Sequence, residues 1–382
     1  MSADRDPTLS GRRALLAGAA ALLAAPVVAP VVARAQQSIT VTDLLGRVVT
    51  VPRPARRVVL LQGRHIAVLN LLLPDPAAVL VGWSDDWKVG AVDEMRAYAA
   101  RFPALNATPV IAKMQSNIDG EKLLTLQPDL VVFSRSDASR DGQRLFPLLE
   151  AGGIPAVTID FFLNPLRDTV PSLRILGKLL GRDEQAEALI AFHQRRLSLI
   201  EDAMRGLEEA QRPWVMMHAH AGGTPCCFSP GRGTLDAFIE LAGGRNLGAL
   251  RIATPTGQLS LEYVLTAQPE VYVATGGSYN GRGGVEMGAG IAEAASRASL
   301  RRVIHEQKLD DLPAVERGRA YGLWHGCNDS PAHVLAIEAL ASWIQPNRTS
   351  GLDPAASLAE LNQRFAAVPM SGTYWVSAVR PG

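Results

Sequence analysis

Glu121-Lys122-Leu123-Leu124-Thr125-Leu126-Gln127-Pro128-Asp129-Leu130-Val131-Val132 returns 141 residues later (262 − 121) as Glu262-Tyr263-Val264-Leu265-Thr266-Ala267-Gln268-Pro269-Glu270-Val271-Tyr272-Val273. The Glu, Leu, Thr, Gln, Pro and final Val stay in register. A period of that length is domain-sized and far too long for a solenoid, so it implies two similarly built lobes. Each copy reads as an exposed Glu opening a helix, a Pro stopping it, and a buried strand after it.

Outward from the repeat, short Val- and Leu-rich runs at Val58–Leu61, Val79–Val81, Leu130–Phe133 and Ala156–Ile159 alternate with helical patterns, and a second series follows at Trp214–Met217, Val271–Ala274 and Arg319–Leu323. Alternation of this kind predicts parallel sheets wrapped by helices, hence two doubly wound α/β lobes with a ligand cleft between them. An N-terminal hairpin is expected where Ile39–Asp43 and Val48–Val51 flank Leu44-Leu45-Gly46-Arg47. Between the series, Ala186, Ile190, His193, Leu197, Ile200, Met204 and Leu207 share one helical face. That pattern predicts one stiff connecting helix from Asp183 to about Glu209, a rod of roughly 40 Å spanning both lobes. His193 on this face reads as a core residue rather than a ligand. The expected divisions are 1–35, 36–180 for the first lobe, 181–210 for the connecting helix and 211–382 for the second lobe and tail.

Arg12-Arg13, an Ala/Leu/Val run to Val32 and Ala33-Arg34-Ala35 form a positive start, an apolar middle and a small-residue cleavage site, which predicts an export signal cut after Ala35. The arginine pair suggests the twin-arginine route. Residue 36 is Gln, so no cysteine stands at the cut to take a lipid. The processed chain loses four arginines and two aspartates, shifts from +1 to about −1, and keeps no basic block. Nucleic acid is therefore an unfavourable partner. Cys226, Cys227 and Cys327 make an odd set without CxxC spacing, which argues against a zinc site. The expected arrangement is one loop disulfide, with Cys327 bridged to Cys226 or Cys227, and a spare thiol, or three free thiols.

Ligands of open α/β sheets bind beyond the carboxyl ends of the strands. That rule selects the loops holding Arg64, His65, Trp87, Arg135, His220, Tyr279, His325, Cys327 and Asn328. Of His218 and His220, His220 is favoured for the cleft because it is nearer the loop. Arginine forks and flat rings together suit a bulky, partly aromatic, anionic guest. Gly281-Arg282-Gly283-Gly284 lacks the Walker spacing and reads as a rim loop. Ser330-Pro331 is expected to cap and open a helix running to Gln345, which would hold Trp324–Asp329 at a positive helix end suited to an anion. No GxSxG or HExxH motif is present, so nothing points to hydrolysis, and no cofactor is called for.

Together with these features, the start Ile39–Arg47, the segments Leu126–Val131 and Ala242-Gly243-Gly244-Arg245-Asn246, Leu261-Glu262 with Gln268-Pro269-Glu270, and Val315–Tyr321 carry a resemblance that covers most of the processed chain. The sequence resembles the helical-backbone class of periplasmic substrate-binding proteins of ABC importers, which serves iron-siderophores, haem and vitamin B12. Leu323-Trp324-His325-Gly326-Cys327-Asn328-Asp329-Ser330-Pro331 is similar to the iron-complex branch, in which an aromatic pair usually follows Trp-His; Gly326, Cys327 and Asn328 stand there instead. The resemblance implies capture of a metal chelate rather than catalysis, a monomer in the periplasm, and delivery to a membrane permease through Glu121 and Glu262. Two alternatives remain at this level. One is a receptor for a free metal ion or oxyanion, with His65, His220, His325 and Cys327 as ligands. The other is an exported metalloenzyme or redox protein built on the three cysteines.

Overall fold

In a computed structural model, the residues described are 38–114, 116–278 and 283–379. The export leader, its cut after Ala35 and Tyr279 lie outside them. The expected hairpin pairs β1 (Ile39–Thr42) with β2 (Val48–Val51). Strands β3 (Val58–Leu60), β4 (Leu80–Ser84), β5 (Val110–Ala112), β6 (Leu130–Ser134) and β7 (Ala156–Ile159) form a wholly parallel sheet in the order β5-β4-β3-β6-β7. The runs read as continuous apolar stretches because both faces are covered. Val58 and Leu60 of β3 join one core, while Val59 joins another with Leu61 just beyond the strand.

The second lobe holds β8 (Trp214–His218), β9 (Phe228–Pro230), β10 (Arg245–Asn246), β11 (Thr256–Gln258), β12 (Val271–Gly276), β13 (Gly288–Ala289), β14 (Ala320–Trp324), β15 (Gly372–Thr373) and β16 (Trp375–Ser377). Its sheet runs β10-β8-β12-β14-β16, with only β16 antiparallel, and β9–β11 and β13–β15 are small satellites. Strands β5, β10 and β16 have no counterpart in the sequence reading, since two or three residues are too few for a periodic signal.

The repeat is a structural repeat. Helices Gly120–Thr125 and Leu261–Ala267 are capped by Asp119 and Ser260, whose side chains accept the N–H of Lys122 at 2.9 Å and of Tyr263 at 3.1 Å. Each then meets a glutamine in the left-handed region, Gln127 at φ 45° and Gln268 at φ 47°. The following proline disfavours right-handed helix there, so the helix stops and the chain turns into β6 or β12. Each of these strands lies beside the first parallel strand of its lobe, β3 or β8.

Helices Pro165–Leu180 and Asp183–Met204 are joined through Gly181 at φ 64° and pack closely. A Cβ at Gly177 would stand 2.5 Å from that of Ala186, so glycine is what permits the approach. The second helix is the connecting rod, packed on helices Pro165–Leu180 and Ile66–Leu72 of the first lobe and on His333–Ile344 and Thr234–Leu241 of the second. It ends at Met204, short of the expected Glu209, because Arg205 turns extended and Gly206 is left-handed. Its 22 residues span about 33 Å. His193 is buried in it and bonds His333 Nε2 to Nε2 at 2.9 Å, a core role as its position implies.

The disulfide joins Cys226 to Cys227, and Cys327 is a buried free thiol. This corrects the expected bridge from Cys327: its side chain is buried, and the neighbouring pair is closed on itself. No helix among the described residues is long and apolar enough to cross a membrane.

Candidate functional site

Strand order reverses at β3/β6 in the first lobe and at β8/β12 in the second, and in open α/β sheets such switch points open a crevice at the carboxyl ends. The loops after β3, β4, β5, β7, β8, β12 and β14 converge on one cleft of about 370 Å³. Phe162, Trp87 and Met114 come from the first lobe, and His220, Trp324 and His325 from the second.

Arg64 is held by a network drawn from the loops after β3, β4 and β14. Gly63 N–H donates to Asp86 Oδ1 at 2.6 Å, and Arg64 Nε donates to Asp86 Oδ2 at 3.2 Å. Gly63 has no room for a side chain, because a Cβ would strike the Ser84 carbonyl oxygen. Arg64 Nη1 then crosses between the lobes to Asp329 Oδ1 at 2.7 Å. Burial disfavours the guanidinium charge, yet Asp329 and Asp86 outweigh it and raise the Arg64 pKa. Burial likewise raises the Asp329 carboxyl, against the pull of Arg64. Phe162 lies 5.2 Å from the guanidinium.

On the opposite wall the chain leaves β8 at His218, and His220 adopts φ 52°, which turns it into the cleft. His218 stays buried, its Nδ1 paired with the Tyr272 hydroxyl at 3.0 Å. Thr275 ties the site together: its hydroxyl accepts the His220 N–H at 2.9 Å and bonds His325 Nδ1 at 2.9 Å. The His220 and His325 rings lie 3.7 Å apart, tilted by 37°. Burial lowers the pKa of both, and for His325 the nearby His220 and Arg64 push further in the same direction. Both imidazoles are therefore neutral at pH 7.

The structure brings Arg64, Trp87, His220, His325 and Asn328 to the cleft wall. Arg135 is not among the lining residues; its Nε is held by Asp168 Oδ2 at 2.9 Å, and Asp168 also takes Arg167. His65 lies under the floor, edge-on to Phe161, and Cys327 is enclosed, with burial raising its thiol pKa. The four-residue metal set is thus divided, and no group of three or more His, Cys, Asp or Glu among the described residues could hold a metal ion. The helix after Ser330 begins at His333, with Ser330 Oγ accepting the Ala332 N–H at 3.2 Å. Asp329, four residues before that helix, turns its carboxylate to Arg64. Asp86, Phe162, Thr275, Trp324 and Asp329 were not singled out from sequence. Their only signal is their place in, or at the edge of, the strand-end loops.

Glu121 and Glu262 are exposed in the first turns of the two matched helices.

Among solved structures, the chain is similar to the TroA-like periplasmic binding protein FepB from Veillonella parvula, at 24% identity and TM-score 0.83, over 89% of this chain and 100% of that one. It is also similar to the molybdate periplasmic binding protein MolA of Haemophilus influenzae, at 20% identity and TM-score 0.62, over 85% and 97%. A periplasmic heme-binding protein from Pseudomonas aeruginosa matches at 19% identity and TM-score 0.54, over 86% and 100%. A search among curated proteins gives no match. Residues 64–324, about two thirds of the chain, match the periplasmic binding protein family. With two α/β lobes on one connecting helix and a cleft at both switch points, the chain belongs to that family of substrate-binding proteins.

Proposed function

We propose that this chain is the periplasmic receptor of an ABC importer that captures a metal chelate of the iron-siderophore kind in the interlobe cleft and delivers it to a membrane permease. The single observation carrying this reading is the cleft itself, built from both lobes and walled by Trp87, Phe162, Trp324 and two neutral imidazoles. Such a surface suits a bulky guest with flat groups. The similar protein named as heme-binding supports a chelate, while the separation of His65 and Cys327 from the cleft weighs against a bare ion. The leader, expected to be removed after Ala35, accords with export.

Glu121 and Glu262 are the docking carboxylates in this reading. Exposed charges at a fixed separation orient an encounter and speed it more than they strengthen it. Thermal unfolding of the processed chain with a panel of ferric chelates tests the proposal. A guest that binds only the folded state stabilises it by about 2.7 kcal/mol at a hundredfold excess over Kd. An unchanged Tm across the panel would reject it.

A further inference from the structure

The charged side chains among the described residues lining the cleft are Arg64, Asp86 and Asp329. The arginine is engaged by both carboxylates, through Nε at 3.2 Å and Nη1 at 2.7 Å, so its charge is balanced from within the protein. The remaining titratable lining groups, His220 and His325, are held neutral by burial. Among the described lining residues, two aspartates stand against one arginine, one carboxylate in excess. Arg135, the other arginine expected to grip an anion, is paired with Asp168 away from the wall.

A smaller annex of about 160 Å³ adjoins the chamber and shares Arg64, Asp86 and Met114 with it. Its Arg140 is spent on Asp137 and Asp141 at 3.1 Å and 2.8 Å. Lys113 lines the annex but not the chamber.

We propose that the cleft selects metal chelates of net positive or zero charge and discriminates against polyanionic ones. The inference rests on the chelate reading above and narrows it. A guest entering the chamber loses water, and in that partly desolvated space the uncompensated carboxylate charge acts on the whole charge of the complex. Aromatic and imidazole faces supply attraction that does not depend on sign, so the charge decides between complexes of equal size.

The test uses the processed chain and the ferric complexes of one linear tris-hydroxamate in three forms: with its free ammonium (net +1), acetylated (net 0) and succinylated (net −1). A ferric tris-catecholate (net −3) is the fourth probe. Binding is followed by quenching of tryptophan fluorescence, since Trp87 and Trp324 line the chamber. The expected order is +1, 0, −1, then −3, with Kd weakening about tenfold per unit of charge, or about 1.4 kcal/mol. Added salt should weaken the +1 complex and tighten the −1 complex, a readout that needs no variant. Asp329→Asn should flatten the series. Tightest binding of the tris-catecholate, or equal affinity across the hydroxamate series at every salt concentration, overturns the charge inference while leaving the chelate reading intact. Failure of all four complexes to bind overturns both.

Discussion

Arg64 joins two carboxylates that belong to opposite lobes, Asp86 and Asp329, and thereby ties the cleft floor together. Its side chain is 26% exposed and that of Asp329 16%, so the pair is partly screened and is expected to contribute less than a fully buried one. Arg64→Ala should destabilise the protein by about 2 kcal/mol, chiefly by stranding the carboxylates, as measured by urea unfolding. A change below about 0.5 kcal/mol would mean that water already satisfies them. The buried histidines give a pH signature. Burial lowers the pKa of His65, His193 and His218 to about 4, against 6.5 for a free side chain. Between those values the unfolded chain takes up protons that the folded chain refuses. Stability is thus full above pH 6.5 and is lost as pH falls toward 4, by about 1.4 kcal/mol per pH unit for each group fully engaged. Denaturant midpoints across pH 4 to 7 read this directly; a flat profile would contradict the burial.

The two matched helices belong to the scale of elements. Their capping residues, their left-handed glutamines and their exposed glutamates repeat together, so the backbone as well as the sequence presents Glu121 and Glu262 in the same way. In the docking reading, replacing both by Ala should abolish chelate uptake by cells while leaving Kd within about twofold, because neither side chain lines the cleft. Uptake at the normal rate would remove the assignment. The pair Pro165–Leu180 and Asp183–Met204 makes a different demand, for closeness. Gly177→Val would press on Ala186 and should lower stability by about 2 kcal/mol by overpacking, as followed by thermal or urea unfolding.

For the whole molecule, the relevant fact is that one buried core runs from the first lobe through the connecting helix into the second. The lobes also touch directly outside the cleft wall, where the Ala289 N–H donates to Glu94 Oε1 at 2.9 Å and the Asn70 side chain accepts the Val368 N–H at 2.7 Å from the C-terminal segment. Such a frame permits slight rocking rather than wide swinging. Binding should therefore change the radius of gyration by less than about 1 Å in small-angle scattering. A compaction of several ångströms would be falsifying, since it would require the shared core to part.

The sequence by itself determined the lobes, the rod and most of the strands, because these follow from local periodicity: a duplicated segment, apolar runs covered on both faces, and one helical stripe. It also marked the loops of the cleft, since those lie at strand ends whatever the tertiary detail. It marked His220 over His218, and the cleft position of Trp87, Asn328 and His325, for the same reason. Which side chains in those loops face a guest was decided only in three dimensions. Arg64 and Arg135 look alike along the chain, yet one meets carboxylates from two lobes and the other meets Asp168, 33 residues away. Cys327 and His65 were drawn under the surface, and Cys226 closed on its neighbour. Ion pairing and burial depend on partners distant in sequence, and so the charge of the cleft, unlike its location, belongs to the tertiary structure.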